Sequence, residues 1–281
     1  MEGFLDHNNG CQELNESLIK YLAGLLDADG SLSFQFRLGR NTTDHYYLGL
    51  MLALHSSKAV DFHRFMETLP GLTGMGTFHK EGEQEQFYKW IVASRADLEM
   101  ILPRLIKHMV VKAKHWQWML ELWREKRGSL ISVEERDALA AQAKESRRTR
   151  KGPLKPKNHP TWAWLAGFLD GDGWYTNKLH KNGIYKGKPQ QSRHMLVGAV
   201  SHREDAHVLD FIMKAHGGSI REHGQTKSCL CWTRSLGKQN RDFALKFLPQ
   251  LVRHSHLKRH KIEIMIAHHH QQRLSASSPA G

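Results

Sequence analysis

The sequence "YLAGLLDADGSLSF", residues 21–34, joins an apolar helical run to an alternating strand through two carboxylates, Asp27 and Asp29. Gly30 follows them directly and predicts the end of the helix. The C-terminus of a helix already carries partial negative charge, so two acids at this position disfavour folding. A motif that is unfavourable for folding indicates a functional site.

The same motif occurs again in "WLAGFLDGDGWYT", residues 164–176, and two further landmarks repeat in the same order. Leu-Pro-x-Leu at 102–105 matches Leu-Pro-x-Leu at 248–251, and a lysine follows nine residues after each proline, at Lys112 and Lys258. The nearly constant spacing between matched landmarks indicates an internal duplication.

Each copy predicts the element order αββαββα. The first copy predicts helices at 16–29, 57–69 and 95–123, strands at 31–38 and 46–54, and a hairpin at 75–93. The second copy predicts helices at 160–172, 204–215 and 238–268, strands at 174–180 and 194–202, and a hairpin at 218–234.

The chain divides into a first unit, a linker, a second unit and a polar tail without regular structure, at residues 1–130, 131–160, 161–270 and 271–281. In the linker, Ser132 and Glu135 predict a capping box for a short helix near 133–146. The basic, proline-containing segment 146–160 then predicts an extended connection.

The composition favours a polyanionic partner. The net charge is +13 and the pI is near 9.7, and the whole excess lies in residues 151–281 because residues 1–150 hold 20 basic and 20 acidic residues. Three cysteines form neither a disulfide framework nor a zinc quartet, which indicates a reducing compartment. The chain has no run of apolar residues long enough for a membrane span and no targeting segment, so we expect an intracellular protein without a membrane partner.

The two motif ends carry the chemistry of a hard-cation site. Asp29 and Asp172 are expected beside carbonyl groups that lack helical partners, where Gly30 and Gly173 end the helices in the left-handed conformation. Carboxylate and carbonyl oxygens suit magnesium or calcium. An EF-hand is excluded, because neither copy has the glycine and the glutamate that its loop requires at the sixth and twelfth positions.

Small residues in each motif helix would let two backbones touch, namely Ala23, Gly24, Ala166 and Gly167. If the two motif helices pack on each other, their acids meet at one end. Adjacent carboxylates repel and raise a pKa unless a divalent cation holds them. The motif is therefore expected to be unfavourable until metal binds.

Both motifs resemble the LAGLIDADG motif of homing endonucleases, and the first departs from that name at one position. The resemblance covers about residues 15–125 and 158–268, and two motifs on one chain are similar to the monomeric form of the family. It implies an α+β fold of two pseudo-symmetric αββαββα units, whose two antiparallel four-stranded sheets form a DNA-binding saddle.

The resemblance also implies an activity. Such a protein is a site-specific endonuclease that binds double-stranded DNA as a monomer and hydrolyses both strands of a long asymmetric target, leaving short 3′ overhangs. Magnesium (Mg2+) would be the cofactor, and calcium (Ca2+) is expected to support binding without cleavage. The biological role would be intron homing, in an organelle or in the cytoplasm of a prokaryote.

The resemblance assigns the site residues by position. Its metal-binding acid falls on Asp29 and Asp172, and its ligating carbonyl on Ala28 and Gly171. A basic residue near the start of the last helix completes the family site, and this position is matched by Lys112 and Lys258. These lysines would stabilise the transition state or polarise water. Alternatively, they would only contact phosphate or belong to a solvated helix face. The sixth motif residues are expected to be structural and to accept hydrogen bonds from backbone amides: Asp27 and Asp170.

Recognition is expected on the polar faces of the strands. The candidate DNA-binding residues are Ser33, Gln35, Arg37, His79 and Lys89 in the first unit and Thr176, Lys178, His180 and Arg221 in the second. Each could instead be an ordinary exposed strand residue. We expect the aromatic helix at 115–123 to be buried in the core and His268–His270 to lie on the surface. We expect Cys229 and Cys231 to be strand residues rather than metal ligands.

Two other functions stay open at the level of sequence. An intron RNA maturase would use the same scaffold with intron RNA as its partner, and a non-catalytic DNA-binding protein would retain only the fold. Both motif acids are present, which favours DNA cleavage without excluding a dual role.

Overall fold

The computed structural model of the protein describes residues 15–40, 42–56, 72, 74–81, 87–155, 159–185, 188–224 and 227–277. The helix predicted at 57–69 lies outside these residues. The first unit consists of α1 (Glu16–Asp29), β1 (Gly30–Leu38), β2 (His45–Ser56), β3 (Thr77–Glu81), β4 (Phe87–Val92), α2 (Arg95–His108) and α3 (Ala113–Glu125). The linker contains β5 (Leu130–Ser132) and α4 (Val133–Thr149).

The second unit has the same order, with a further helix described between its second and third strands. It consists of α5 (Trp162–Gly171), β6 (Gly173–Tyr185), β7 (Lys188–His202), α6 (His207–His216), β8 (Ser219–His223), β9 (Cys229–Ser235), α7 (Arg241–His254) and α8 (Arg259–Ser277). A short 3-10 turn, Arg203–Asp205, leads into α6. The α+β fold with two duplicated units is therefore confirmed.

The closing helix of each unit is broken, although the sequence predicted one continuous helix at 95–123 and another at 238–268. The first breaks between α2 and α3 because the amides of Val110, Val111 and Lys112 donate to the carboxylate of Asp27 instead of to helical carbonyls. The second breaks in the same way between α7 and α8. Each break places a lysine directly before the last helix of its unit.

Both sheets are antiparallel, with strand order β1-β2-β4-β3 in the first unit and β6-β7-β9-β8 in the second. The second sheet has the predicted four strands, but the first gains a fifth. Among the described residues, β4 pairs with β2 at Leu52–Ser56, and β5 pairs with the same edge of β2 at His45–Tyr47. An unpaired strand edge exposes backbone donors and acceptors, so the departing linker covers it.

The motif helices α1 and α5 pack against each other at the centre of one shared core. A methyl group on Gly24 would overlap the carbonyl oxygen of Trp164, and one on Gly167 would overlap that of Tyr21. The predicted close approach of the two helices is therefore present, and it depends on glycine at both crossing points.

The linker helix begins at the predicted place, since the hydroxyl of Ser132 accepts a hydrogen bond from the amide of Glu135 at 3.3 Å. The carboxylate of Glu135 accepts from Lys126 at 2.7 Å, so the structure shows the Ser132 half of the predicted capping box. Helix α4 then continues to Thr149, so the extended segment begins later than the predicted residue 146. Helix α8 likewise runs to Ser277, whereas the sequence predicted no regular structure from residue 271. No glycine or proline interrupts the chain between Arg259 and Ser277, which allows the helix to continue.

Within the described residues, no helix combines the length and the apolar character that crossing a membrane requires.

Candidate active site

Each motif helix ends at a glycine because a side chain would not fit there, and not because the backbone is left-handed. Gly30 has φ −81° and ψ 153°, which is extended backbone and not the predicted left-handed conformation. A methyl group on Gly30 would lie 2.6 Å from the carbonyl oxygen of Leu26, and one on Gly173 would lie 2.5 Å from that of Leu169. The chain turns directly from helix into strand, and only glycine leaves room for that turn.

The sixth motif acids are structural, as predicted. The buried carboxylate of Asp27 accepts hydrogen bonds from the amides of Val110, Val111 and Lys112 at 2.6, 3.2 and 3.0 Å. Burial raises the pKa of Asp27, while these amide donors oppose that rise. Asp27 thereby holds the start of α3 against the end of α1.

Asp170 has the equivalent role in the second unit. Its carboxylate accepts hydrogen bonds from the amides of His256, Leu257 and Lys258 at 2.9, 2.9 and 3.2 Å, and from the hydroxyl of Ser255 at 2.7 Å. The start of α8 is therefore fixed to the end of α5.

Each structural acid also accepts a hydrogen bond from the other unit. The indole Nε1 of Trp164 donates to Asp27 at 2.9 Å, and the hydroxyl of Tyr21 donates to Asp170 at 2.8 Å. Tyr21 and Trp164 occupy the same position of the two motifs, directly before the first leucine. These paired bonds join the two units symmetrically next to the motif ends.

The two lysines bind the ends of the motif helices. Lys112 Nζ donates to the carbonyl oxygens of Leu26, Ala28 and Gly30 at 2.9, 3.1 and 2.8 Å. Burial lowers the pKa of Lys112, and the negative charges of nearby acids oppose that change. The ammonium group therefore satisfies carbonyls that the helix leaves without partners and offsets the negative end of the helix dipole.

Lys258 repeats this arrangement in the second unit. Its Nζ donates to the carbonyl oxygen of Leu169 at 2.6 Å, to that of Gly171 at 3.0 Å, and to that of Gly173. Both lysines lie directly before the last helix of their unit, which is close to the predicted position. Their contacts are to the motif backbone.

Asp29 and Asp172 lie together at the free ends of the packed helices. Burial raises the pKa of Asp172 to about 6, with the negative charge of Asp29 as the next cause, while the charges of Lys112 and Lys258 oppose it. A methyl group on Gly171 would lie 2.9 Å from Oδ2 of Asp29, so the carboxylate of Asp29 lies against the end of α5. The structure therefore brings the two predicted acids to one place.

The donor set at this place fits a hard cation. It consists of two adjacent carboxylates, one with a raised pKa, and the carbonyls of Ala28 and Gly171. Each carbonyl oxygen has two lone pairs, so the hydrogen bond from a lysine leaves one available. Among the described residues, no group of three or more histidine, cysteine, aspartate or glutamate side chains is placed to hold a metal ion. A cation here would therefore take most of its ligands from water and substrate.

The first sheet presents its candidate DNA-binding residues on one face. The register pairs Gln35 with Gly49 and Lys89 with both His55 and His79, and directly opposed residues of antiparallel strands share a face. This face contains all five candidates of the first unit, namely Ser33, Gln35, Arg37, His79 and Lys89.

The same face also carries two residues that the sequence reasoning missed, Tyr47 and His55. The alternation of strand β2 contained the signal, because the leucines at even positions pack into the core and leave the odd positions on the opposite side.

The second sheet behaves similarly. The register places Thr176, Lys178 and Arg221 on one face, on the side opposite the buried Tyr175. Trp174 lies on that face as well, where it covers Gly198 and stacks on His223 with ring centroids 6.2 Å apart. The backbone of His180 pairs with that of Ser192, and its side chain lies outside the described residues.

Two further predictions have different outcomes. The aromatic helix is core, as predicted, because α3 buries Trp116, Met119 and Trp123. The predicted surface run of histidines is wrong at His269, which is fully buried. Side chains of consecutive helical residues point about 100° apart, so three adjacent histidines spread around more than half of the helix, and His269 faces the core.

The comparisons with solved structures agree on the architecture. The I-SmaMI LAGLIDADG homing endonuclease bound to cleaved DNA matches with a TM-score of 0.68 and 18% identity over 93% of this chain and 92% of its own. I-GzeII in complex with its DNA target has a TM-score of 0.67 and 12% identity over 93% of both chains. I-LtrWI bound to target DNA has a TM-score of 0.67 and 15% identity over 92% of this chain and 91% of its own.

I-SmaMI has also been solved with an uncleaved DNA target in the presence of calcium ions, and that structure matches with a TM-score of 0.67 and 17% identity over 93% of this chain and 94% of its own. No protein-family model matches this chain, and no curated protein matches it in sequence. The chain has the fold of the LAGLIDADG homing endonucleases, with two units in a single chain.

Proposed function

We propose that this protein is a site-specific, metal-dependent endonuclease that cleaves both strands of a DNA duplex. One observation carries the proposal: two packed motif helices, one from each unit, end in Asp29 and Asp172, which are close enough for the charge of Asp29 to raise the pKa of Asp172. One acid from each unit suits one cut on each strand. The DNA-bound states of I-SmaMI, I-GzeII and I-LtrWI support the same substrate class.

Magnesium would be held by the carboxylates of Asp29 and Asp172, with the carbonyl oxygens of Ala28 and Gly171 as further ligands. A bound divalent cation neutralises phosphate charge and lowers the pKa of the water molecule bound to it. Magnesium usually takes only one or two protein carboxylates and keeps water and phosphate oxygens as its other ligands, which suits this donor set. The calcium-containing complex of I-SmaMI supports the use of a divalent cation.

The remaining parts of the site serve the same reaction. Lys112 and Lys258 lie beside the acids and lower the pKa of Asp172, and their positive charge would offset charge that develops on a reacting phosphate. The polar faces of the two sheets would contact base edges and the DNA backbone on either side of the cut.

The finer properties follow from the family resemblance alone. They are a long asymmetric target, short 3′ overhangs, cleavage with magnesium but only binding with calcium, action as a monomer, and a role in intron homing in an organelle or a prokaryote.

Cleavage of a plasmid library that contains candidate sites, followed by sequencing of the cut ends, tests the proposal. We expect double-strand cuts with magnesium, and loss of those cuts in Asp29→Asn and in Asp172→Asn while DNA binding in calcium is kept. Asp210→Asn is the control, because Asp210 is exposed on α6. Full double-strand cleavage by either motif variant would contradict the assignment. Binding to intron RNA without any DNA cleavage would instead favour a maturase, and DNA binding without cleavage a non-catalytic protein.

A further inference from the structure

A cavity of about 750 Å³ lies beside the motif ends, between the two units. Gly30 and Lys112 line it on the side of the first unit, and His202 and Arg203 on the side of the second. Gly30 directly follows Asp29, and Lys112 Nζ donates to the carbonyl oxygen of Ala28. The cavity therefore borders the candidate active site.

The linker forms one wall of this cavity and makes it strongly basic. Helix α4 and the residues after it contribute Lys144, Arg147, Arg148, Arg150 and Lys151. The first three lie at positions i, i+3 and i+4 of the helix, so they share one helical face. Like charges on one face of a helix repel each other, which disfavours this arrangement unless an anion binds there.

Within the residues that the structure describes, most of these cations have no acidic partner. Lys151 forms ion pairs with the only two acids of the cavity wall, at 2.8 Å to Asp205 and 3.3 Å to Glu204. In the described part of the chain, no carboxylate pairs with Lys144, Arg147 or Arg148.

The charge of Arg147 acts on the cavity wall. It contributes, after burial, to lowering the pKa of His115 to about 4, and His115 lines the cavity next to Lys112. The hydrogen bond between His115 Nδ1 and the hydroxyl of Ser146 at 3.1 Å fixes α4 against α3 and so holds the basic face in place. Helix α4 is thus fixed in place as one wall of the cavity.

We propose that the basic face of linker helix α4, formed by Lys144, Arg147 and Arg148, binds the sugar–phosphate backbone of the DNA strand next to the cut position. This inference rests on the proposed function. The phosphates of a DNA strand enter the cavity from the motif ends, and the linker then adds anchorage that does not depend on base sequence. The linker therefore belongs to the DNA-binding surface as well as joining the two units.

The test compares two triple variants. The cavity variant is Lys144→Gln, Arg147→Gln and Arg148→Gln. The control variant is Lys214→Gln, Lys246→Gln and Arg253→Gln, three exposed basic residues on α6 and α7 that do not line the cavity. Fluorescence anisotropy measures the affinity of each protein for several unrelated duplexes, in calcium, between about 50 and 200 mM salt.

We expect the cavity variant to bind all duplexes more weakly and to lose about 0.9 from the logarithmic salt slope for each phosphate contact removed, up to about 2.7. For the control variant, the loss from the logarithmic salt slope should be smaller than the roughly 0.9 of a single phosphate contact. The substituted side chains are exposed, so both triple variants should fold. The single variants Lys144→Gln and Arg148→Gln can be compared with the wild type in the same way. Equal slopes for the two triple variants would overturn the inference while leaving the endonuclease proposal intact. A wild-type protein that binds no duplex would overturn both.

A small phosphate compound is the alternative occupant. Pyrophosphate carries the same kind of charge as the DNA backbone, so it should stabilise the wild type more than the cavity variant in thermal unfolding, and if the site is built for DNA the cavity variant also loses duplex affinity. Selective stabilisation of the wild type, together with unchanged duplex binding by the cavity variant, would show that the cavity binds a small anion instead.

Discussion

Asp27 accepts four hydrogen bonds inside the protein, whereas Asp29, two residues further along the same helix, is exposed at its end. A rotation of two helical positions, about 200°, turns the first acid toward the start of α3 and the second away from it. Asp170 and Asp172 divide in a similar way, although Asp172 is partly buried. In each motif, one carboxylate organises the backbone and the other lies at the candidate cation site.

The hydrogen bonds between units can be tested with conservative changes. Tyr21→Phe removes the hydroxyl that donates to Asp170, and we expect a loss of about 1.5–3 kcal/mol in the free energy of unfolding because the acceptor is a buried charged group. Tyr175→Phe is the control, since the buried hydroxyl of Tyr175 has no hydrogen-bond partner within the described residues. Urea unfolding measures both. If Tyr21→Phe costs no more than Tyr175→Phe, the bond between units contributes nothing to stability.

The lysines are expected to affect stability and cleavage together. Lys112→Met leaves three carbonyl groups without their donor, so unfolding should become easier by about 1–3 kcal/mol and cleavage should slow about ten-fold or more. Lys258→Met should behave in the same way. Lys112→Arg should not restore either property, because a planar guanidinium cannot donate to three converging carbonyls.

Lys114→Met is the matched control for the lysine prediction, because Lys114 is exposed on α3 two residues away. Single-turnover cleavage and urea unfolding are measured on the same preparations. An unfolding free energy of Lys112→Met equal to that of Lys114→Met would show that the backbone contacts of Lys112 are not stabilising. Unchanged cleavage would remove the lysine from catalysis.

At the scale of elements, the two motif helices pack closely because they carry residues of different size at the same motif position. The seventh motif position is Ala28 in α1 and Gly171 in α5, and a methyl group on Gly171 would lie 2.5 Å from Cβ of Ala28. Only one of the two helices can carry a side chain there. The difference between the two motif sequences is therefore complementary packing.

A residue exchange tests this packing. Gly171→Ala should destabilise the protein by about 1–3 kcal/mol through overpacking, and the double variant Ala28→Gly/Gly171→Ala should recover much of that loss. A double-mutant cycle in urea should then give a coupling energy of about 0.5–3 kcal/mol. Gly24→Ala is the contrasting variant, since its methyl group would meet the backbone of Trp164, which no side-chain exchange can move. A coupling energy of zero would refute the complementary fit.

At the scale of the whole molecule, buried histidines make stability depend on pH. His216 packs against Trp162 and Phe247, its Nε2 is buried without a partner in the described residues, and burial lowers its pKa to about 4. The unfolded chain, with an ordinary histidine pKa near 6.5, binds protons more readily than the folded protein. The contribution of His216 to stability is therefore constant above about pH 6.5 and is lost as the pH drops toward 4.

His216→Phe removes this proton-linked loss and suits the aromatic surroundings. We expect the variant to lose about 1–2 kcal/mol less than the wild type between pH 7 and pH 4, after allowance for the partial exposure of His216. His260→Phe is the control, because His260 is exposed. Urea unfolding at a series of pH values provides the measurement, and parallel pH profiles for the wild type and His216→Phe would exclude the effect.

The sequence alone determined the architecture and the place of the site. Periodicity and turn residues are local properties, so the repeated αββαββα order, the packing glycines and the position of the two acids and two lysines could be predicted from short stretches. The sharing of one sheet face by Ser33, Gln35 and Arg37 is also local, because side chains alternate along a strand.

Only the tertiary structure decided the features that depend on residues distant in the chain. The break between α2 and α3 requires Asp27, more than 80 residues earlier, and the fifth strand of the first sheet requires an edge that β4 leaves unpaired. The requirement for glycine at Gly30 comes from Leu26 rather than from a left-handed turn. The basic cavity beside the acids exists because the fold places linker helix α4 against Lys112 and against the second unit, and no local pattern records which helical face a neighbouring unit will meet.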